Sequence, residues 1–396
     1  MTGAAYANMA LKTPFHSRLA PLCHSNAWQR WAGYATVGYF TSVEDEYFAV
    51  RNAATLFDIS PMVKYRIAGA DAARYMNRLI PRDVDKVAPG RVAYAVWCND
   101  DGKVLDDGTV FRLDDGAFQL NSQERHLCWL LDSALGFDVS IEDVSDAVAG
   151  LALQGPTSCA VLKAAGIGGV ETLKPYRFTR FELDGLALMV SRTGYTGDLG
   201  YELWIDPGDA ETLWDRLMDA GEAHGLRPIG SGALDIARIE AGFIQANTDF
   251  VAADAALRPS RWRSPFELGL DWMVDFDKGH FIGRRALLRE KEAGSRYRVV
   301  GLDVEGNKPA AQALVYHGRK RREVGAVTSA VWSPTCKRNL AIATLKAAYA
   351  DDDGRLWADV YLNKELKWER IRASCRVVAR PFFNPRRRWA TPAGDA

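Results

Sequence analysis

The chain has 396 residues, of which 48% are hydrophobic and 25% charged, as in a globular protein of two or three domains. Its 50 basic and 50 acidic side chains cancel, so no overall field favours nucleic acid or an anionic membrane as partner. The six cysteines form no CxxC pair, the six histidines lack metal-ligand spacing, and no apolar run is long enough for a membrane span. These features predict a cytoplasmic protein without a structural metal.

Helix and strand signals alternate along the first part of the chain. Ser42 is a suitable N-cap for a helix that continues to about residue 56, and the alternation in "DISPMVKYRIAG" predicts a strand. A short helix follows and ends near Pro81. Three strands in residues 91–122, joined by two Asp-Asp-Gly turns, predict an antiparallel meander.

The second part begins with a strand, a turn and a helix in "LALQGPTSCAVLKAAGI". Two strands then surround the glycine-rich loop of "SRTGYTGDLGYELWID", and helices are predicted over residues 209–225 and 230–242. After about residue 297 short strands and turns predict a separate small β domain. The basic run "NPRRRW" near the C-terminus is interpreted as a solvated tail.

Two acidic features could carry chemistry. Asp106 and Asp107 are adjacent in a predicted strand, so they point to opposite faces and one can enter a cavity, although acidic pairs also commonly flank hairpin turns. Glu202 shares a strand face with Trp204. The carboxylate could bind the N–H edge of a flat heterocycle while the indole contacts its ring; alternatively, Glu202 is an acid on an edge strand that faces water. The glycines before Glu202 would let the backbone approach such a ligand.

Several segments together resemble the aminomethyltransferase, or glycine-cleavage T-protein, family. They are "RNAATLFDIS", "NDDGKVLDDGTVFRL", "LALQGPTS", "SRTGYTGDLGYELWI", "ALDIARIEAG", "FELGLDWMVDFDKGHFIGRRAL" and "GAVTSAVWSPT". The resemblance implies an α+β fold, a three-domain cloverleaf around a central opening that binds tetrahydrofolate, with a small C-terminal β-barrel or jelly-roll-like domain. The implied domains are a discontinuous folate-binding domain (1–59 plus 142–285), an inserted domain (60–141) and a C-terminal β domain (290–390).

The resemblance also implies roles for individual residues. Asp106 corresponds to the acid beside the folate nitrogen that accepts the carbon, and Tyr195 is a second candidate catalytic residue that lines the same pocket. The predicted cofactor contacts are Glu202 as the pterin anchor, Asn121, Trp204, Tyr195 and Arg238.

Arg238 leaves two alternatives open. It matches the second arginine of the family pattern RDxLRLEAG and could contact the cofactor, or it could pair with Asp235 or Glu240. Leu234 stands where the family has the first arginine.

Other departures concern the substrate. Pro61 replaces a histidine of the T-protein, and the segment after Gly242 is longer than in T-proteins. In these respects the chain is more similar to the tetrahydrofolate-dependent demethylase branch, especially aromatic O-demethylases. Trp31, Tyr34 and Trp97 could form an aromatic substrate wall, or each could belong to the ordinary core. The leaving group could be served by Arg263, and equally by Tyr195, Arg258 or Arg261.

The predicted function is therefore transfer of a methyl or formaldehyde-level carbon from a small, aromatic substrate to tetrahydrofolate. One alternative is a folate-independent lyase that releases formaldehyde from a hydroxymethyl-bearing aromatic; another is a folate-binding accessory protein without turnover. A lipoyl carrier protein is not the expected partner, and both a monomer and a homodimer are compatible with the sequence.

Overall fold

A computed structural model describes residues 10–318, 322–351 and 354–393. The α-helices of these residues are α1 (His16–Leu19), α2 (Val43–Asn52), α3 (Ala72–Leu79), α4 (Leu127–Ser133), α5 (Ser158–Ala164), α6 (Ala210–Gly221), α7 (Ser231–Glu240) and α8 (Arg284–Ala293). The strands are β1 (Ala27–Trp31), β2 (Tyr34–Tyr39), β3 (Thr55–Asp58), β4 (Val63–Ala68), β5 (Val92–Cys98), β6 (Val104–Arg112), β7 (Ala117–Ser122), β8 (Ser140–Asp143), β9 (Ala149–Gln154), β10 (Phe178–Leu183), β11 (Leu186–Ser191), β12 (Gly200–Ile205), β13 (Arg227–Pro228), β14 (Tyr297–Val304), β15 (Leu314–His317), β16 (Arg322–Ser333), β17 (Arg338–Lys346), β18 (Leu356–Lys364) and β19 (Lys367–Val378).

A six-stranded sheet in the order β10-β11-β12-β9-β3-β13 carries the strand that contains Glu202. Its buried strands read as nearly continuous apolar runs because both faces are covered. One face packs against residues such as Phe15 of the N-terminal segment and Leu213 of α6. The other face contributes Phe57 and Trp204 to a core that also contains residues of β5, β6 and α7.

A five-stranded sheet in the order β5-β6-β7-β4-β8 contains the predicted meander. Strands β5, β6 and β7 are antiparallel neighbours, which confirms that prediction. Apolar side chains on one face, among them Val110 and Phe118, pack against Tyr75 and Met76 of α3. The sheet extends through β8 to Asp143, just beyond the predicted end of the inserted domain; the domain boundaries themselves stay a prediction.

The C-terminal part is a closed barrel in the order β14-β17-β16-β15-β18-β19. Alternate residues of its strands, such as Leu302 and Ala343, fill the barrel interior. The predicted α+β fold with a C-terminal β-barrel is therefore confirmed. No helix in the described ranges has the length and apolarity needed to cross a membrane.

The predicted N-cap is confirmed, but the helix that follows it is shorter than predicted. It ends at Asn52, and Thr55 and Leu56 lie in β3. Ser42 caps α2 by accepting a hydrogen bond from the backbone N–H of Asp45. The predicted strand from Asp58 onwards is interrupted, because the Ser60 N–H turns back to Asp58 Oδ1 at 2.9 Å. This turn separates β3 of one sheet from β4 of the other and so divides the two layers.

Candidate functional site

A cavity of about 860 Å³ lies where the five-stranded sheet, the segments after α7, the barrel and the C-terminal segment meet. Its wall is formed by residues 92–94 of β5, residues 241–244 after α7, residues 298–301 of β14, and residues 377–381 at the end of β19 and beyond it. Tyr94 is the polar side chain that connects this cavity to the acidic pair, because its hydroxyl donates a 2.6 Å hydrogen bond to Asp107 Oδ2.

The strand register decides which acid lies beside Tyr94. Asp107 is opposite Val96 and Asp106 is opposite Trp97, so Asp107 shares the face of Tyr94 whereas Asp106 points to the other face. That other face is the core, where Trp97 is completely buried. This geometry speaks against the predicted role of Asp106 beside the folate nitrogen, because Asp107 is the acid bonded to a residue of the cavity wall.

Asp106 is completely buried and hydrogen-bonded at both oxygens. Its Oδ1 accepts the backbone N–H of Asp107 at 2.9 Å, and its Oδ2 accepts the backbone N–H of Glu124 at 3.1 Å. His126 Nε2 is also 3.1 Å from Oδ2. Asp106 therefore holds the strand and the following loop together behind Asp107.

Asp107 has an environment suited to proton exchange near neutral pH. Burial raises the pKa of its carboxyl to about 7, and the negative charge of Asp106 adds to this, although the hydrogen bond from Tyr94 opposes it. Burial and the nearby Asp107 also raise the pKa of Tyr94, so its phenol stays protonated and donates.

Two unpaired polar atoms lie on the same sheet face. Tyr94 is the cross-strand neighbour of Thr109, which in turn is the neighbour of Asn121. Thr109 Oγ1 and Asn121 Nδ2 are buried and have no hydrogen-bond partner, while Asn121 Oδ1 accepts a 2.9 Å bond from Gln119. Unpaired buried groups are costly, so a hydroxyl and an amide left open beside Asp107 indicate a place for a polar ligand.

Tyr195 lies beside the cavity through its ring. The ring stacks on Phe243, a cavity residue, with centroids 5.4 Å apart and planes 10° from parallel. Its hydroxyl donates to the carbonyl of Ile244 at 2.6 Å, and burial raises its pKa. The phenol is therefore engaged with the backbone, and the ring is the part available to line the site.

Glu202 is a partly exposed carboxylate on β12. Thr193 Oγ1 donates to its Oε2 at 2.5 Å, and burial raises the pKa of Glu202 to about 6 while the hydroxyls of Thr193 and Ser191 oppose the rise. Trp204 on the same face is buried, donates to Ser191 and meets Phe111 edge-on. Trp204 is core, so the predicted contact of its ring with the cofactor is corrected.

The glycines of the loop before Glu202 make room for a side chain of the protein itself. A Cβ at Gly194 or Gly200 would lie within 2.5 Å of the Gln154 amide. The Gln154 Nε2 donates to the carbonyls of Thr193 and Tyr201, both at 3.2 Å. The loop is thus wrapped around a buried glutamine, which corrects the interpretation of these two glycines as clearance for a ligand.

Arg238 is buried and engaged with protein partners. It donates to Asp235 at 2.7 Å, to Asp249 at 2.6 Å and to Ser329 of β16 at 2.8 Å. Of the two alternatives the structure shows the ion pair, with Asp235 and Asp249 rather than Glu240. Arg238 fastens α7 to the barrel, and its predicted cofactor contact is corrected.

The four predicted substrate residues are not brought together around Asp107. Trp97 is in the core, and Arg263 donates to the carbonyls of Ser260 and Trp262 while lying over the Tyr297 ring at 4.3 Å. The hydroxyl of Tyr34 donates to Asp146 at a separate cavity of about 450 Å³. Trp31 stacks on Phe57 with centroids 6.3 Å apart. The predicted aromatic wall is therefore corrected.

The C-terminal basic run is part of the site and not a solvated tail. Arg387 donates two hydrogen bonds, of 2.6 and 2.8 Å, to the carboxylate of Asp198 in the glycine loop. Arg388 and Trp389 line the cavity. The sequence signal that could have indicated this is the run of three arginines followed by Trp389 in "NPRRRW".

Comparison with known proteins agrees with this architecture. The family model described as "GCVT N-terminal domain" matches residues 15–278, and the model "Glycine cleavage T-protein C-terminal barrel domain" matches residues 298–384. The chain belongs to the glycine-cleavage T-protein, or aminomethyltransferase, family.

Individual relatives cover most of the chain. A protein named aminomethyltransferase from Caldanaerobacter subterraneus subsp. tengcongensis is 35% identical over 346 residues, which are 85% of this chain and 88% of the relative. Another of that name from Thermoanaerobacter sp. is 34% identical, covering 85% of this chain and 90% of the relative. The crystal structure of glycine cleavage system aminomethyltransferase T from Bartonella henselae has a TM-score of 0.82 at 24% identity, covering 95% of this chain and 99% of that one, and supports the fold.

Proposed function

We propose that this protein moves a one-carbon group from a small donor to tetrahydrofolate, with Asp107 as the acid at the reacting nitrogen. The observation that carries the proposal is the sheet face on which Asp107, held by Tyr94, lies beside the unpaired polar atoms of Thr109 and Asn121. Membership of the aminomethyltransferase family supports a folate ligand.

The residues present suit tetrahydrofolate. The Glu202 carboxylate is partly exposed and receives a hydrogen bond from Thr193, and its remaining lone pairs suit the N–H edge of a pterin. Asn121 Nδ2 and Thr109 Oγ1 offer a donor and a hydroxyl without present partners. The stacked rings of Tyr195 and Phe243 add a flat apolar surface.

When bound, tetrahydrofolate supplies the nucleophilic nitrogen that accepts the carbon. Asp107 holds or removes a proton there, because its pKa of about 7 makes the carboxylate and the carboxylic acid comparably accessible near neutral pH. Tyr94 fixes the orientation of Asp107 through the bond to Oδ2. Ionised Asp107 would also stabilise positive charge that develops on the transferred carbon.

For the donor we propose a small aromatic compound with a methyl or formaldehyde-level carbon. Leu234 and Pro61, which replace an arginine and a histidine of the T-protein, support a donor other than that of the T-protein. The cavity offers the rings of Tyr94, Phe243 and Trp272 as walls. We further propose a cytoplasmic protein, monomeric or homodimeric; the cysteines, none of which is in a disulfide, support a reducing compartment.

Aminomethyl transfer is the second candidate. It is favoured by relatives that are 35% and 34% identical over most of the chain and carry the name aminomethyltransferase. This reaction would require an aminomethyl-bearing lipoyl carrier protein as partner.

The test is turnover by purified, folate-free protein with and without added tetrahydrofolate. The donors are methoxylated benzoates, hydroxymethyl aromatics and an aminomethyl-lipoyl carrier, and the product is one-carbon-substituted folate measured by mass spectrometry. Product formed only with folate and an aromatic donor supports the proposal; product from the lipoyl carrier alone selects the second candidate. Full turnover without folate would contradict both transfer reactions and indicate a lyase. Folate binding without any turnover would indicate an accessory protein.

A further inference from the structure

The large cavity carries an excess of positive charge. Five arginines line it: Arg82, Arg91, Arg298, Arg380 and Arg388. Among the described residues that line the cavity, Asp351 is the single carboxylate, and it is bonded to Arg298. Among the described residues, no carboxylate lies within ion-pair distance of the other four guanidinium groups.

Carbonyl oxygens and aromatic rings hold these cations in place. Arg82 donates to the carbonyl of Tyr94 at 3.0 Å and lies 5.4 Å from the centre of the Trp272 ring. Arg388 lies 5.2 Å from the Phe243 ring and 4.4 Å from the Trp389 ring. Each side chain is therefore fixed against an apolar surface while its charge is left uncompensated.

The remaining two arginines differ in their exposure and in their hydrogen bonds. Arg380 uses its two terminal nitrogens to bridge the carbonyls of Gly242 and Val299, at 3.2 and 3.4 Å, and so joins the barrel to the segment after α7. Arg91 is exposed at the cavity. Burial lowers the pKa of Arg82, and the nearby charge of Arg91 lowers it further. Two like charges facing one cavity without an acid between them are unfavourable unless an anion is bound.

We propose that Arg82, Arg91 and Arg388 form a binding site for the carboxylate end of a flat ligand. A guanidinium binds a carboxylate through two parallel hydrogen bonds, and the rings of Trp272, Phe243 and Trp389 give a planar ligand an apolar surface beside that anchor.

The site is connected to Asp107 through one residue. Arg82 donates to the main-chain carbonyl of Tyr94, and the side chain of Tyr94 donates to Asp107. A carboxylate held by Arg82 would therefore leave the other end of the ligand free to reach the Tyr94–Asp107 pair.

This site deepens the proposed function and rests on it. Two sources supply the same chemistry: the glutamate carboxylates of tetrahydrofolate, and a carboxylate on the aromatic donor. Either way, the enzyme would discriminate in favour of an acid over the corresponding neutral compound.

The experiment compares matched acidic and neutral probes by titration calorimetry. The probes are tetrahydrofolate against the carboxamide of tetrahydropteroate, which carries no carboxylate, and 4-methoxybenzoate against 4-methoxybenzamide. The variants are Arg82→Met and Arg388→Met, with Arg298→Met as control, because Arg298 lines the same cavity but already has Asp351 as partner. Circular dichroism and melting temperature establish that each variant is folded, and Arg82→Lys tests whether charge alone is sufficient.

We expect Arg82→Met and Arg388→Met each to weaken the binding of at least one acidic probe by about tenfold or more, which is the size expected for the loss of a charge-assisted hydrogen bond. Binding of the matching neutral probe should weaken by about twofold or less. Arg298→Met should leave both within about twofold, because its charge is already paired. Loss confined to tetrahydrofolate identifies the folate source, and loss confined to methoxybenzoate identifies the donor.

Equal losses for acidic and neutral probes, or no loss for any acidic probe, would overturn the carboxylate site. The two proposals can fail separately. Folate-dependent turnover without acid selectivity rejects this site alone, whereas Arg82-dependent binding of methoxybenzoate without any binding of tetrahydrofolate rejects the proposed function alone.

Discussion

The hydroxyl of Tyr94 donates a 2.6 Å hydrogen bond to Oδ2 of Asp107, and this bond joins the wall of the 860 Å³ cavity to the acidic pair of β6. The preceding residue, Asp106, faces the opposite way and is bonded to His126 in the core. Neighbouring carboxylates therefore have different surroundings and should respond differently to substitution.

Asp107→Asn is expected to lower kcat by about a hundredfold or more, the usual contribution of a positioned acid or base. Asp106→Asn should instead lower the free energy of unfolding by about 1–3 kcal/mol, because it disturbs buried hydrogen bonds, and should retain more turnover. Steady-state kinetics and urea unfolding measure the two effects. A folded Asp106→Asn protein as inactive as Asp107→Asn would contradict the assignment.

The pH dependence of kcat/KM should report Asp107. Its carboxyl has a pKa raised from 3.8 to about 7, so the ionised form increases as pH rises through that value. If the carboxylate is the active form, log kcat/KM rises with unit slope below about pH 7 and levels off above it. Asp106→Asn removes a neighbouring negative charge and should move the inflection to lower pH; an unchanged inflection would assign it to another group.

Glu202→Gln should weaken tetrahydrofolate binding by about tenfold or more, since hydrogen bonds to a charged group contribute about 1.5–3 kcal/mol. Binding by the wild type should also weaken as pH falls through about 6, where Glu202 becomes protonated, while Glu202→Gln should lack this step. Thr193→Val is the matched variant: it removes a bond that holds the pKa down, so the step should move to higher pH. Calorimetric titrations between pH 5 and about 8 cover the change. A pH step that persists in Glu202→Gln would mean that another group anchors the ligand.

Arg387→Met should destabilise the fold by about 2 kcal/mol, because the buried Asp198 carboxylate would lose both hydrogen bonds from Arg387. It would keep the longer 3.3 Å contact with Arg51 and the 2.8 Å bond from the backbone N–H of Leu199. Arg386→Met is the control, since Arg386 is exposed in the same turn. Denaturant unfolding measures the free energy of unfolding of the two variants, which can be compared directly if their m-values are unchanged. Equal stability of the two variants would show that the C-terminal segment contributes little to holding the glycine loop.

Local signals in the sequence were sufficient for much of the fold. Ser42 marked the start of α2, and the Asp-Asp-Gly turns defined the meander, because caps and turns depend on residues only a few positions apart. The pattern of family motifs identified the α+β fold and the terminal barrel. The turn at Ser60 was not predicted, because the alternation of apolar and polar residues continues across it in the sequence.

The sequence by itself determined that one member of the Asp106–Asp107 pair must face away from the other, since side chains alternate along any strand. Only the tertiary structure decided that Asp107 is the one beside Tyr94, because that depends on which face of the sheet is covered by the core containing Trp97. The same holds for Arg238 and for the C-terminal arginines. Ser329, one partner of Arg238, is 91 residues away in the chain, and Asp198, the partner of Arg387, is 189 residues away. Packing between such distant segments leaves no periodic signal in the sequence.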